Sequence, residues 1–162
     1  MQRMNAFAVA PAGIAALSSV EKYVQSSGLD PKLIALTKIR VSQMNGCAYC
    51  LHMQTEEAHE LGESSMRLYL LDAWRESNLY SQGERAALAW AETLTKIAAT
   101  HAPDDAYEGA REQFSEKELA DLSISNCDDK RLEPPLHRRA RGAPVRFGGS
   151  GLTDWQARHR PR

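Results

Sequence analysis

Apolar side chains recur at the three- and four-residue spacing of an amphipathic α-helix over most of the first 125 residues. No run of residues in this stretch alternates between apolar and polar in the way that a half-buried strand does. The pattern therefore predicts an all-α protein. The predicted helices begin near Ala12, Pro31, Cys47, Ser64 or Ser65, Ser81 and Ser115.

Local start and stop signals support this division into helices. Asp30-Pro31 combines an N-cap carboxylate with a proline at the first helical position. Asn45-Gly46 interrupts the helix that follows, and a new helix is predicted from about Cys47 to Leu61. Two Ser-x-x-Glu sequences, 81–84 and 115–118, fit the capping box, in which Ser and Glu satisfy each other's free backbone N–H groups. The last of these helices is expected to stop shortly after it begins, near Ile124.

The charge of the chain divides it into two parts. The formal net charge is −1, but residues 126–162 contain nine Lys and Arg against four Asp and Glu. Because few large apolar residues occur there, we expect a helical domain over 1–125 and a basic, disordered tail over 126–162. Arg138, Arg139 and Arg141 suggest a nucleic-acid-binding arm as one alternative.

The balanced overall charge argues against nucleic acid or a membrane as the partner. With no export signal or spanning segment, we expect a cytoplasmic protein.

Cys47-Ala48-Tyr49-Cys50 is the segment with the clearest chemistry. At a helix N-terminus, free N–H groups lower the pKa of a thiol, and the i to i+3 spacing places both sulfurs on one face. These properties favour a redox pair. Two alternatives stay open: half of a zinc site, although no second ligand pair is evident, or two buried structural thiols. We expect neither a metal nor a bound cofactor.

The surroundings of this pair resemble a known family. The segment 36–50, followed by Thr55-Glu56-Glu57-Ala58, Leu61-Gly62-Glu63 and Phe114–Leu119, is similar to the alkylhydroperoxidase-like (AhpD-like) branch of the carboxymuconolactone decarboxylase family. The resemblance implies an all-helical domain with its C-x-x-C motif at a helix N-terminus. It also implies a homo-oligomer, often built on trimers, with the cysteine pair in a cleft near subunit contacts. The substrate it implies is a hydroperoxide, and the reductant is an external dithiol protein.

The resemblance also implies roles for individual residues. Cys50 would attack the peroxide and become a sulfenic acid, and Cys47 would then close a disulfide. Gln54 stands where the family commonly has a histidine, and Ala35 where it often has a glutamate, so the proton relay is altered. His52 is the nearest alternative base, although its i to i+2 spacing from Cys50 turns it away from the sulfur, and an exposed helical histidine is the simpler interpretation.

Three functions are consistent with these residues. The first is a thiol-dependent peroxidase of weakened activity. The second is a non-catalytic, redox-responsive oligomer whose relay has been lost. The third is a carboxymuconolactone decarboxylase-type enzyme, which would not need the cysteine pair. The pair favours the first two over the third.

The tail allows a further hypothesis based on the resemblance. In the family the last helix continues as an apolar run, whereas this chain turns polar at Asn126. With synonymous codons chosen freely, a one-base shift of the reading frame over residues 126–135 gives Ile-Ala-Thr-Ile-Asn-Ala-Trp-Asn-Arg-Leu. We therefore interpret the chain from about residue 125 as translated out of frame, in which case Cys127 and the arginines of the tail carry no selected function.

Overall fold

The computed structural model describes residues 6–136, and every regular element in that range is helical. This confirms the predicted all-α class. The α-helices are α1 Ala6–Val9, α2 Pro11–Gln25, α3 Pro31–Asn45, α4 Ala48–Glu60, α5 Ser65–Leu70, α6 Gln82–Thr95, α7 Ile97–Thr100, α8 Asp104–Arg111 and α9 Glu116–Leu136. A 3₁₀ turn, Leu71–Ala73, follows α5. No helix in the described range is long and apolar enough to cross a bilayer.

The helix boundaries follow the local signals in the sequence. Asp30 caps α3, since its carboxylate accepts a hydrogen bond from the Lys32 backbone N–H at 2.9 Å. Gly46 ends α3 with a φ of +66°, a left-handed conformation that glycine adopts without a Cβ penalty. The predicted end of the helix after Cys47, at Leu61, is confirmed to within one residue, because α4 closes at Glu60.

Both capping boxes form. The Glu84 N–H donates to Ser81 Oγ at 3.2 Å, and the Ser81 N–H donates to the Glu84 carboxylate at 2.7 Å. Ser115 and Glu118 repeat this exchange at 3.3 and 2.8 Å. Three helices, α1, α7 and α8, lie outside the predicted set. For α8 the sequence did contain a start signal: acidic residues in the first turn, directly after Pro103.

The described core consists of two apolar clusters that share α3 and α6. One cluster joins α2, α3, α6, α8 and α9, and the other joins α3, α4, α5 and α6. Trp90 lies in the first and Trp74 in the second, each less than a tenth exposed. Because α3 packs against α4, α6 and α9, this helix is held on several sides, and it leads directly into the turn before α4.

The last helix is longer than the sequence pattern predicts. The expected stop near Ile124 is wrong: α9 continues through the proposed 125/126 boundary as far as Leu136. Leu119 and Leu122 anchor it in the core, and the next inward positions are the buried Ser125 and Asn126. The helix therefore stays packed against the core at the point where its apolar pattern ends. Most of the predicted tail, 137–162, lies outside the described residues.

Candidate active site

The cysteine motif lies at the corner between α3 and α4. After Gly46 turns the chain, the Cys47 N–H donates to the Ser42 carbonyl at 3.1 Å, which closes the end of α3. Cys47 is then the N-cap of α4, and its sulfur accepts a hydrogen bond from the Cys50 backbone N–H at 3.3 Å. The predicted position of the C-x-x-C motif at a helix N-terminus is thus confirmed.

The two cysteines are joined by a disulfide, with their Cα atoms 5.4 Å apart. Their surroundings differ. Cys50 is only 4% exposed, whereas Cys47 is partly exposed and is flanked by the exposed residues Gly46 and Ala48. One sulfur of the pair therefore belongs to the protein interior, and the other lies nearer to solvent.

Gln54 lies one helical turn after Cys50, on the same face of α4. It is 4% exposed, and its Oε1 accepts a hydrogen bond from Ser42 Oγ at 2.8 Å. Ser42 is itself fully buried on α3. Sequence reasoning missed this partner, and the available signal was a hydroxyl among the apolar positions one turn before the end of α3. The amide at position 54 is thus held in place by a hydroxyl and is not loose in the site.

Ala35 is 5% exposed and belongs to the second apolar cluster, with Ile39 and Ala58. The methyl group there can neither donate nor accept a proton. One turn further along α3, Lys38 is 8% exposed and its Nζ lies 2.6 and 2.7 Å from the two carboxylate oxygens of Glu21. This ion pair, which the sequence did not indicate, ties α2 to α3.

The histidines at 52, 59 and 101, which the structure describes, lie outside this buried group. The His52 side chain is 35% exposed, and its Nε2 is 3.6 Å from a carboxylate oxygen of Glu56, one turn further along α4. His59 and His101 are exposed. Within the described range, no group of three or more His, Cys, Asp or Glu residues is placed to hold a metal ion.

A partly buried carboxylate supports α3 on the side of α6. Glu92 accepts hydrogen bonds from Trp74 Nε1 at 2.9 Å and from Arg40 Nε and an Arg75 amino group at 2.6 Å each. Burial alone would raise the pKa of Glu92, but these three donors outweigh it and hold the pKa below its usual value. Glu92 is therefore charged at neutral pH and links α3, α6 and the segment that follows the 3₁₀ turn.

The sequence pattern of the carboxymuconolactone decarboxylase family matches residues 10–93, which include α2 through most of α6 and the whole cysteine motif. The chain belongs to this family.

Two curated relatives and one solved structure add detail. The uncharacterised Bacillus subtilis protein YdfG is 41% identical over 123 residues, which cover 76% of this chain and 84% of YdfG. The uncharacterised Escherichia coli protein YnjA is 36% identical over 69 residues, which cover 43% of this chain and 38% of YnjA. An Agrobacterium tumefaciens protein of unknown function, described as a candidate AhpD antioxidant defence protein, superposes with a TM-score of 0.78 and 39% identity over 82% of this chain and 90% of that one. The fold is therefore AhpD-like.

Proposed function

We propose that the protein is a thiol-dependent, alkylhydroperoxidase-like peroxidase that reduces hydroperoxides through Cys50 and Cys47. The observation that carries the proposal is the disulfide that the two residues form at the N-terminus of α4, with Cys50 enclosed in the fold. The free N–H groups of the first helical turn stabilise a thiolate there, and the thiolate is the reactive form of cysteine.

The reaction proceeds in three steps. The Cys50 thiolate attacks the terminal oxygen of the hydroperoxide, so that an S–O bond forms, the O–O bond breaks and the alkoxide leaves as an alcohol after taking a proton. The Cys47 thiolate then attacks the sulfenic sulfur, an S–S bond forms, the S–O bond breaks, and hydroxide leaves and takes a proton to become water. An external dithiol returns two electrons and two protons, which restores both thiols.

Gln54 has a limited role in this reaction. Its amide can hydrogen-bond but cannot transfer a proton near neutral pH, and Ser42 already occupies its carbonyl oxygen. Gln54 therefore cannot deliver the proton that the leaving alkoxide takes. We expect turnover to be slow, since a positioned acid–base group typically contributes ~10²- to 10⁴-fold to such a step.

The decisive experiment follows peroxide consumption by purified protein, with cumene hydroperoxide as the oxidant and dihydrolipoamide as the dithiol. Cys50→Ser should abolish consumption. In the absence of the dithiol, Cys47→Ser should allow one oxidation per chain and then stop, because the sulfenic acid has no resolving thiol in the motif. Parent protein that consumes no more peroxide than the Cys50→Ser variant would overturn the proposal.

One observation favours a second candidate, a non-catalytic redox-responsive oligomer. Neither Gln54, bonded to Ser42, nor Ala35, packed among apolar side chains, can carry a proton. On this alternative the pair opens and closes stoichiometrically, one disulfide per chain, without sustained turnover. The same assay separates the two, because only the peroxidase consumes many equivalents of peroxide. Either function fits a reducing cytoplasm that supplies the dithiol.

A further inference from the structure

The environment of the disulfide is asymmetric, and the asymmetry bears on how the bond is reopened. Thiol–disulfide exchange is an attack of a thiolate on one sulfur while the other sulfur leaves, so access to the attacked sulfur controls the rate. Cys50, at 4% exposure, offers an incoming thiolate almost no surface, and the side chain one turn beyond it, Gln54, is equally buried. Cys47 is partly exposed at the corner that follows Gly46.

The position of the leaving group also favours attack at Cys47. If Cys47 is attacked, the sulfur released is that of Cys50, in the first turn of α4. Helix α4 has 13 residues, so its N-terminal N–H groups and dipole stabilise the negative charge that develops on this sulfur. A thiol with a lowered pKa is a better leaving group. Attack at Cys47 thus combines the accessible electrophile with a stabilised leaving thiolate.

We propose that the reducing dithiol enters at Cys47 and never directly at Cys50. This order rests on the proposed function for its place in a cycle, but the disulfide it acts on is already formed in the structure. A reductant thiolate attacks the Cys47 sulfur, so that a mixed disulfide forms, the Cys47–Cys50 bond breaks and Cys50 leaves as a thiolate. The second thiol of the reductant then attacks the reductant's own bound sulfur and releases Cys47, leaving the reductant oxidised and both cysteines reduced.

In this order of attack, each of the two sulfurs reacts with a different substrate. Cys50 meets the small peroxide inside the fold, and Cys47 meets the larger thiol partner at the surface. The two substrates therefore do not compete for the same sulfur atom. It also identifies Cys47 as the residue that selects the reductant, since the groups around it, and not those around Cys50, contact the incoming molecule.

The test uses glutathione as a monothiol probe on the full chain, in a Cys127→Ser background because Cys127 is an exposed free thiol. Oxidised protein is mixed with excess glutathione, quenched with acid, alkylated with N-ethylmaleimide and mapped by peptide mass spectrometry. We expect glutathione on Cys47 and maleimide on Cys50, in a ratio of at least about ten to one, because exchange follows access. The reverse pattern, or equal labelling, would overturn the proposal.

A matched pair of variants covers the case in which the mixed disulfide is too short-lived to trap. Cys50→Ser and Cys47→Ser, each in the Cys127→Ser background, are treated with glutathione disulfide, and release of glutathione by dithiothreitol is timed. Circular dichroism checks that both variants fold. We expect Cys47 to accept and release glutathione at least about tenfold faster than Cys50; equal rates, faster exchange at Cys50 or no exchange at either cysteine would contradict the proposal. Since these measurements need no peroxide, a failed peroxidase assay leaves their result intact, and a failure here leaves the peroxidase assay intact.

Discussion

Gln54 occupies a buried position one turn after Cys50, where Ser42 fixes its carbonyl oxygen. Replacing it by histidine puts an imidazole, which can transfer protons near neutral pH, on the same face of α4 as the attacking sulfur. We expect Gln54→His to raise peroxide turnover by up to about 10²-fold at pH 7, because it restores an acid–base group to the leaving oxygen. Steady-state peroxide consumption against pH measures the change, and the variant should show a pH dependence near the imidazole pKa that the parent lacks.

The control is Gln54→Leu, which removes the amide without adding an acid–base group and should not speed the reaction. Adding Ala35→Glu to Gln54→His is expected to raise turnover further by supplying a carboxylate partner. Because Ala35 packs among apolar side chains, this second change should also lower the free energy of unfolding. If a folded double variant turns over no faster than the parent, the relay is not the limiting feature, and the redox-responsive function becomes the better explanation.

Asn126 is buried on α9 at 1% exposure, and neither atom of its amide has a hydrogen-bond partner. Ser125, fully buried, has an unpartnered hydroxyl. Asn126→Ile, the residue that the shifted reading frame supplies, should raise the free energy of unfolding by about 1 to 3 kcal/mol, because it removes an unsatisfied buried polar group. Urea denaturation measures the change, with Ser125→Ala as a smaller change of the same kind and Asn126→Val as a check against overpacking. Destabilisation by both Asn126 variants would contradict this account of α9.

Glu92 joins three segments through one carboxylate, so its ionisation should be visible in the stability of their packing. The donors to Glu92 hold its folded-state pKa below the value in the unfolded chain. Its contribution to stability is therefore complete above the unfolded-state pKa and is lost as the pH falls through the lower, folded-state value. We expect Glu92→Gln to lower the free energy of unfolding by about 1 to 3 kcal/mol at pH 7, and the gap between parent and variant to shrink progressively below about pH 4.5.

Urea denaturation at a series of pH values measures this effect. Arg75→Gln is the matched comparison, since it removes only the more exposed of the two arginine partners, with a side chain 56% exposed against 12% for Arg40. Its cost should be smaller, in line with an ion pair near solvent. A gap between parent and Glu92→Gln that stays constant from pH 7 to pH 3 would show that the charge of Glu92 is not what stabilises this junction.

Helices α4 and α5 leave large apolar side chains exposed on the outside of the chain. Tyr49 and Met53 are 41% and 47% exposed, and Met66 and Tyr69 are 58% and 77% exposed. The family resemblance implies a homo-oligomer with subunit contacts near the cysteine pair, and such contacts would cover these side chains. We expect the protein to sediment as a trimer or a multiple of it, and the double variant Met66→Glu, Tyr69→Glu to shift toward monomer, because charge is costly in a closed apolar interface.

Sedimentation velocity at micromolar concentration measures the shift, with circular dichroism to show that the helices remain. Ile97→Glu changes an apolar residue that is 49% exposed on α7 and should leave the assembly unchanged. A parent protein that sediments as a monomer would contradict the expected homo-oligomer. Equal dissociation by Ile97→Glu would move the contact away from α4 and α5.

The sequence by itself determined the helical class, most helix boundaries and the position of the cysteine pair at the start of α4. Each of these depends on residues close together in the chain: Asp30 caps α3, Gly46 ends it, and two reciprocal Ser–Glu pairs open α6 and α9. Capping and turn formation act over three or four residues, so both partners of each interaction are neighbours in the sequence and can be recognised there.

The tertiary structure alone decided which cysteine is buried, what holds Gln54 and how far α9 extends. The Ser42–Gln54 hydrogen bond joins residues 12 apart on two helices, and the Lys38–Glu21 ion pair joins residues 17 apart. Helix α9 continues past the end of its apolar pattern, and the packing of Leu119 and Leu122 against other helices places Asn126 in the interior. The physical reason is that burial and pairing depend on how helices meet in space, and the periodicity of one helix does not specify the helix that covers it.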